Sequence, residues 1–233
     1  MPLKKIFVLA NSIKKQQRCV AGIEIIKKPD GKEYYGEWIR PVTHHDEGAI
    51  SSSECRLQHG AVPIPFDVIQ IPLSSLENNP TQPENWYIQP DAQWSKVAAW
   101  SEDEAQKLIE DPKNLWLEAG VDQDRVTSQY ILSQEKHQSL YLIRPKDFRF
   151  LVKTSTWEGI DKKQVRGVFK YNGQEYDFSM TDPLIRKKYF PRFPNVKTGV
   201  TSLGGSDEIL LCVSLTPEFH GYHYKIVATV IES

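Results

Sequence analysis

Apolar positions along this chain fall in short runs with the alternation of strands, not the three-to-four spacing of helices. Lys5–Ser12 (KIFVLANS) is apolar and rich in β-formers. Arg18–Lys28 (RCVAGIEIIKK) follows, with enough Val and Ile for a strand covered on both faces. Pro29-Asp30-Gly31 marks a turn, and Glu33–Val42 resumes as a strand, so the flanking runs read as a hairpin. Pro65–Leu73 sets Val68, Ile69 and Ile71 among polar neighbours and reads as another strand. Residues 74–100 are rich in Pro and Asn and read as irregular chain carrying Trp86, Trp94 and Trp100.

The middle of the chain carries the helical signature. Ser101 is placed to cap free N–H groups and Glu104 occupies the capping-box position, which predicts a helix from about Glu102 to Glu110, stopped by Pro112. A second helical stretch is expected at about Asn114–Ala119, ending at Gly120. Strand patterns then return at Leu140–Ile143, Phe148–Thr154, Val165–Tyr171 and Gln174–Met180. Asn172-Gly173, between the last two, is the strongest hairpin signal in the chain. Thr181-Asp182-Pro183 opens a short helix over Leu184–Tyr189, with Asp182 as its cap. Residues 190–208 read as loop, and Glu208–Leu215 and Tyr222–Ile231 close the chain as strands. Short, regularly spaced strands of this kind predict a mainly β protein built as a sandwich or as small barrels.

Two further patterns divide the chain in halves. Ile39-Arg40-Pro41 recurs as Ile143-Arg144-Pro145, an offset about the size of one small barrel, which favours an internal duplication. An Arg ahead of a Pro is held extended, and the Pro ends ladder pairing, so each Arg is expected at a sheet rim. There it can reach a phosphate or pair with a local carboxylate or carbonyl. Charge is divided as well. The chain as a whole is at −1. Residues 1–32 hold eight lysines and arginines against two acids, residues 84–124 three against ten, and residues 144–197 thirteen against six. Two basic segments flanking an acidic one fit a polyanionic partner for the basic parts, or pairing with the acidic part.

Composition narrows the class. No apolar run approaches the roughly 18–20 residues that cross a bilayer as a helix. The apolar stretch Ile6–Ala10 is too short for a signal-peptide core, so a cytoplasmic protein with no membrane partner is expected. Three cysteines, Cys19, Cys55 and Cys212, are too few and too scattered for a disulfide framework or a metal site and read as buried thiols. His44-His45-Asp46-Glu47 has no partner pair at familiar ligand spacing, since adjacent histidines on a strand face opposite ways. A nucleophilic Cys212 working with His220 or His223 would need an exposed thiol, and LLCVSL reads as buried. No metal, no cofactor and no catalytic residue is expected.

Ala10-Asn11-Ser12, Arg18-Cys19-Val20-Ala21-Gly22-Ile23, Trp38-Ile39-Arg40-Pro41, Pro83-Glu84-Asn85-Trp86, Leu140–Pro145, Thr181-Asp182-Pro183, Leu211–Leu215 and Gly221–Lys225, in this order, resemble the dual OB-containing domain family across nearly the whole chain. The resemblance implies two OB-fold barrels in tandem and a nucleic-acid-binding role in prokaryotic defence or genetic-conflict systems. The expected layout is a first OB-like barrel over 1–80, a connector over 81–137 with its helix at about 102–110, and a second OB-like barrel over 138–233. OB-folds bind single strands with a basic groove for the backbone and aromatic side chains for the bases. On that basis the candidate nucleic-acid contacts are Lys14, Lys15, Arg18, Trp38 and Arg40 in the first half, and Arg144, Lys187, Lys188, Tyr222, Tyr224 and Lys225 in the second. For the aromatics among them, Trp38, Tyr222 and Tyr224, core packing is the favoured reading. The function expected is non-catalytic binding of nucleic acid, single-stranded DNA or RNA, as an accessory subunit of a defence system. The alternatives are a protein-interaction subunit docking through the acidic, Trp-rich segment 84–124, and an enzyme acting on nucleotides or nucleic acid.

Overall fold

Val, Ile and aromatic side chains resist helical packing and fit a pleated surface, and the strands that they build dominate the structure. The computed structural model describes residues 2–14, 17–45, 48–157, 160–189, 198–202 and 209–232, with the backbone alone for 14, 153–157, 160–163, 189 and 198–202. The chain divides into two units. The first comprises residues 1–108 with 137–139, and the second comprises 109–136 with 140–233.

In the first unit, β1 (Leu3–Lys14), β2 (Gln17–Lys27) and β3 (Glu33–Val42) form an antiparallel meander. β4 (Asp67–Leu76) returns to pair with β1 from Leu3 to Phe7. β5 (Asn85–Ile88) runs parallel to β3 at Arg40–Val42 and antiparallel to β4. The order β1-β2-β3-β5-β4, with β4 back on β1, is a closed five-stranded barrel with OB-fold connectivity. β6 (Ser95–Ala99) extends β4, and α1 (Glu102–Gln106) follows it. The interior holds Ile6, Val8, Val20, Ile39, Ile69 and Ile71, with Trp94 fully enclosed. β1 serves two neighbours by bending at a bulge between Val8 and Ala10. Gly22 faces that bend, where a Cβ would stand 2.1 Å from the Phe7 carbonyl oxygen, so only glycine fits.

In the second unit, β7 (Arg125–Thr127) leads into α2 (Ser128–Ser133) and then β8 (Leu140–Ile143). β9 (Lys146–Trp157), β10 (Ile160–Tyr171) and β11 (Gln174–Met180) form the meander, followed by α3 (Pro183–Tyr189), β12 (Thr198–Ser202), β13 (Leu210–Leu215) and β14 (Tyr222–Ile231). β11 pairs parallel with β14, β14 with β13, and β13 with β8. β8 passes through Arg144-Pro145 directly into β9, so these two pieces act as one broken first strand, and the OB path recurs. Its core is aromatic: Phe148, Phe150, Phe169, Tyr176 and Phe178, with edge-to-face contacts such as Phe169–Phe178 at 5.5 Å. Asn172 and Gly173 both take positive φ (47° and 79°), the primed turn that the β10–β11 hairpin needs. Asp182 caps α3 by accepting from the Leu184 and Ile185 N–H groups, and its other oxygen accepts from Val230 N–H at 2.9 Å.

Several expectations change. α1 ends at Gln106 rather than about 110. Ser101 makes no side-chain cap bond, and the Glu104 carboxylate turns to Lys107 and Tyr35 instead of closing a capping box. Residues 114–119 form no helix, since Trp116 sits at φ 53° and its ring packs 5.0 Å from Tyr141. The helix of that region is α2, capped by the Thr127 hydroxyl oxygen, which accepts from Tyr130 N–H. Segment 74–100 contains β5 and β6, and segment 190–208 contains β12. The Ile-Arg-Pro echo does not mark equivalent places: Arg40 lies within the third strand of the first barrel, whereas Arg144 lies at the break in the first strand of the second.

Candidate nucleic-acid interface

The barrel strands decide which candidate side chains reach solvent. In the first unit, Trp38 is buried, and so is Arg40. Here β3 is buried at every position from Trp38 to Val42, its edge paired with β5 and the Arg40 N–H donating to the Glu84 carbonyl. Arg40 Nη1 donates to Asn85 Oδ1 at 3.2 Å, and Nη2 donates to Ser139 Oγ at 3.0 Å and lies 3.3 Å from Glu84 Oε1. The Ser139 hydroxyl donates in turn to Glu84. Arg40 therefore holds an internal carboxylate rather than a phosphate at a rim. Arg18 is half-buried at the base of the first loop, donating to Asn11 Oδ1 at 3.0 Å and to Ser52 Oγ at 3.4 Å. Lys14 ends β1 with its side chain outside the described residues, and Lys15 lies outside them altogether.

Among the described residues of the first barrel, exposed lysines and aromatics come together at the β2–β3 hairpin. Its turn is built by Gly31 at φ 81° and by Asp30, whose Oδ1 accepts from Lys32 N–H. Lys27, Lys28 and Lys32 are exposed there. Lys28 Nζ stands 4.0 Å over the Tyr34 ring, and the Tyr34 hydroxyl donates to Asp30. Tyr34 and Tyr35 are both exposed, and Tyr35 meets Trp100 edge-on at 6.1 Å. Beside the Tyr35–Trp100 pair runs a groove of about 580 Å³, lined also by Glu33, Tyr34, Glu104 and Lys107. Lys5 pairs with Glu33 at 2.7 Å, and Lys107 with Glu104 at 2.6 Å. Burial, followed by the Glu104 bond, pushes the Tyr35 hydroxyl up to about 12, so it stays a neutral donor.

In the second unit, the period of two along β14 separates the three candidates that the sequence grouped. Tyr222 and Tyr224 face outward and half-exposed, while His223 and Lys225 face inward and are buried. Arg125 gathers the outer pair: its guanidinium stands 4.9 Å from the Tyr222 ring and bonds Tyr224. Lys225 Nζ donates to the Gln123 carbonyl at 2.9 Å, and burial brings its amine down to about 8 against the opposing pull of Asp124 and Glu118. His223 holds the Thr216 carbonyl at 2.8 Å through Nδ1 and the Ser128 hydroxyl at 3.0 Å through Nε2. The loop between β13 and β14 ends in a tight turn, with His220 and Gly221 both at positive φ, and presents Phe219 to solvent. Lys187 and Lys188 are exposed on α3, Lys188 paired with Glu232, and Arg144 is exposed at the β8–β9 break.

Lys27, Lys28, Lys32, Tyr34, Tyr35, Arg125 and Phe219 were not singled out from the sequence. Three lysines bracketing a PDG turn that precedes Tyr-Tyr is a local signal that could have found the first five. Arg125 is placed by β7 pairing with β14, which no local pattern announces.

Of the remaining candidates, His44 stacks on Tyr87 at 4.0 Å and His45 pairs with Glu54 at 3.1 Å, while Asp46 and Glu47 lie outside the described residues. Among the described residues no cluster of three or more His, Cys, Asp or Glu side chains could hold a metal. Cys55 and Cys212 are buried and Cys19 is half-buried, and burial raises the thiols of Cys19 and Cys55. Among the described residues no helix is long and apolar enough to cross a membrane. In segment 84–124, Trp94 and Trp116 are core residues, which leaves Trp86 and Trp100 half-buried at its surface.

By strand order this is a protein of two OB-type units. The model of the dual OB-containing domain matches residues 4–230, and the chain belongs to that family. No curated protein matches it. Among solved structures, the HINb domain of p204 is similar at 14% identity and a TM-score of 0.34, over 99% of this chain and 97% of that one. A murine DNA-binding protein bound with double-stranded DNA is similar at 7% identity and a TM-score of 0.30, over the whole of both chains. At these scores the likeness carries no argument about function.

Proposed function

We propose that this protein binds nucleic acid, with single strands preferred, and that it does so without catalysis. The observation that carries the reading is the β2–β3 hairpin of the first barrel, where exposed Lys27, Lys28 and Lys32 stand beside exposed Tyr34 and Tyr35. OB barrels use the face of their second and third strands and the loops after the first and fourth strands for oligonucleotides. Lysines beside open aromatic rings supply both halves of single-strand binding, phosphate attraction and base stacking. The loop between β13 and β14 supports the same use of the second unit, with Phe219 and the Arg125–Tyr222 pair at the corresponding OB position. Lys14 and Lys15, in the loop after the first strand, and Arg144, Lys187 and Lys188 remain candidates for backbone contacts. Membership in the family supports an accessory role in prokaryotic defence.

The test is an anisotropy titration with single- and double-stranded DNA and RNA over a salt series. Binding should weaken steeply with salt, and Lys28→Ala with Lys32→Ala should lower the slope of log K against log salt by roughly 1.4–1.8. Absence of binding to every probe at low salt would sink the proposal.

A further inference from the structure

The groove beside the basic hairpin has a chemistry at odds with a phosphate track. Its aromatic wall is the Tyr35 ring beside Trp100, since Tyr34, the neighbouring residue on the strand, turns its ring to the other face under Lys28, and its rim carries two carboxylates, Glu33 and Glu104, with Lys107. A phosphate placed there would meet both. The hairpin lysines outside the groove, Lys27, Lys28 and Lys32, present the opposite charge. Lys5 and Lys107 balance the two carboxylates, so the groove adds no net attraction for phosphate, whereas the hairpin lysines do.

A flat, uncharged group rich in N–H donors fits the groove. Tyr35 is 38% exposed, enough for one ring to stack on. Lys107 and Tyr35 hold the Glu104 carboxyl below its ordinary range, so it is an anion and accepts only. Each carboxylate has about four lone-pair sites. Glu33 receives Lys5, and Glu104 receives Lys107 on one oxygen and Tyr35 on the other, so acceptor capacity remains on both.

We infer that this groove is a base-reading pocket that takes a guanine from a bound single strand and rejects thymine or uracil, an assignment that rests on the nucleic-acid reading above. The warrant is donor count. Guanine offers its N1–H and its amino group side by side, matching the two oxygens of one carboxylate. Cytosine and adenine offer one amino group beside an acceptor nitrogen. Thymine and uracil offer a single N–H flanked by two carbonyl oxygens, which face a carboxylate with like partial charge.

The experiment uses the full chain and oligothymidine of about twelve nucleotides, a length within OB site sizes, unmodified or with one central dG, dA or dC. Anisotropy at low salt should give the dG probe at least about tenfold tighter binding than the unmodified probe, with dA and dC between, as one good bidentate contact provides. Glu104→Gln and Glu33→Gln, both on the surface, should erase the dG advantage, with the affinity for unmodified oligothymidine rising rather than falling, because an amide can donate to a thymine carbonyl. Equal affinity for the four probes, or a dG advantage untouched by both variants, overturns the groove assignment and leaves the nucleic-acid reading standing. No binding of any probe overturns both.

Discussion

At the scale of single residues, burial rather than charge decides what the basic side chains do. Arg40 and Lys225 carry the charges expected of backbone contacts, yet both are enclosed. Removing one partner of a buried ion pair strands the other, so Arg40→Ala should lose about 3–5 kcal/mol in urea denaturation. Oligonucleotide affinity per folded molecule should stay unchanged, because the guanidinium is spent on Glu84, Asn85 and Ser139. Lys225 has a pH signature. Its folded value of about 8 lies below the ordinary lysine value of 10.5, so between these two the unfolded chain binds the proton that the folded one releases. The burial penalty is thus fully present below pH 8 and is relieved as pH rises toward 10.5. Wild type should gain about 3 kcal/mol across that window relative to Lys225→Met, measured by denaturation at a series of pH values. Both residues were legible as cations in the sequence. Their burial was not, because it depends on residues 84, 85 and 139 in one case and on residues 123–124 in the other.

At the scale of elements, local chemistry was readable where one turn or cap decides the outcome. Asn172-Gly173, Pro29-Asp30-Gly31 and Asp182-Pro183 do in the structure what their residue types require, since positive φ and a side-chain acceptor are local properties. Elements with weak patterns escaped. β5 (NWYI) and β6 (SKVAA) are strands through their pairing with β3 and β4, and four or five residues carry too little periodicity to announce this. The helix expected at 114–119 failed because the Trp116 ring packs into the second core, which outweighs a modest local propensity. The bend in β1 sets the sharpest test at this scale. Gly22→Ala would push a methyl group into the Phe7 carbonyl, and neither strand can yield without breaking the ladder on either side. Overpacking of this kind should destabilise the first barrel by about 3 kcal/mol or more, read as a lowered midpoint in thermal or urea unfolding.

At the scale of the whole molecule, the sequence by itself determined a mainly β chain, the places of its best hairpins, and the alternation of basic and acidic segments. Each of these follows from residue type and spacing within a few neighbours. Among the described residues of the basic first segment, Lys4 pairs with Glu24 and Lys5 with Glu33, while Lys27, Lys28 and Lys32 stand exposed about the β2–β3 turn. The repeat of Ile-Arg-Pro correctly suggested two halves for a reason that did not hold: the two tripeptides stand at different steps of the OB path. Tertiary structure alone decided which strands meet, since β3 finds β5, and β11 finds β14, across more than forty residues of chain. It alone decided which face of each strand is covered. That choice turned Arg40 and Lys225 inward, left Tyr34, Tyr35 and Phe219 outward, and set Glu33 and Glu104 on one groove. The physical reason is that side-chain direction alternates along a strand, so exposure is fixed by the pairing partners and by what packs against each face.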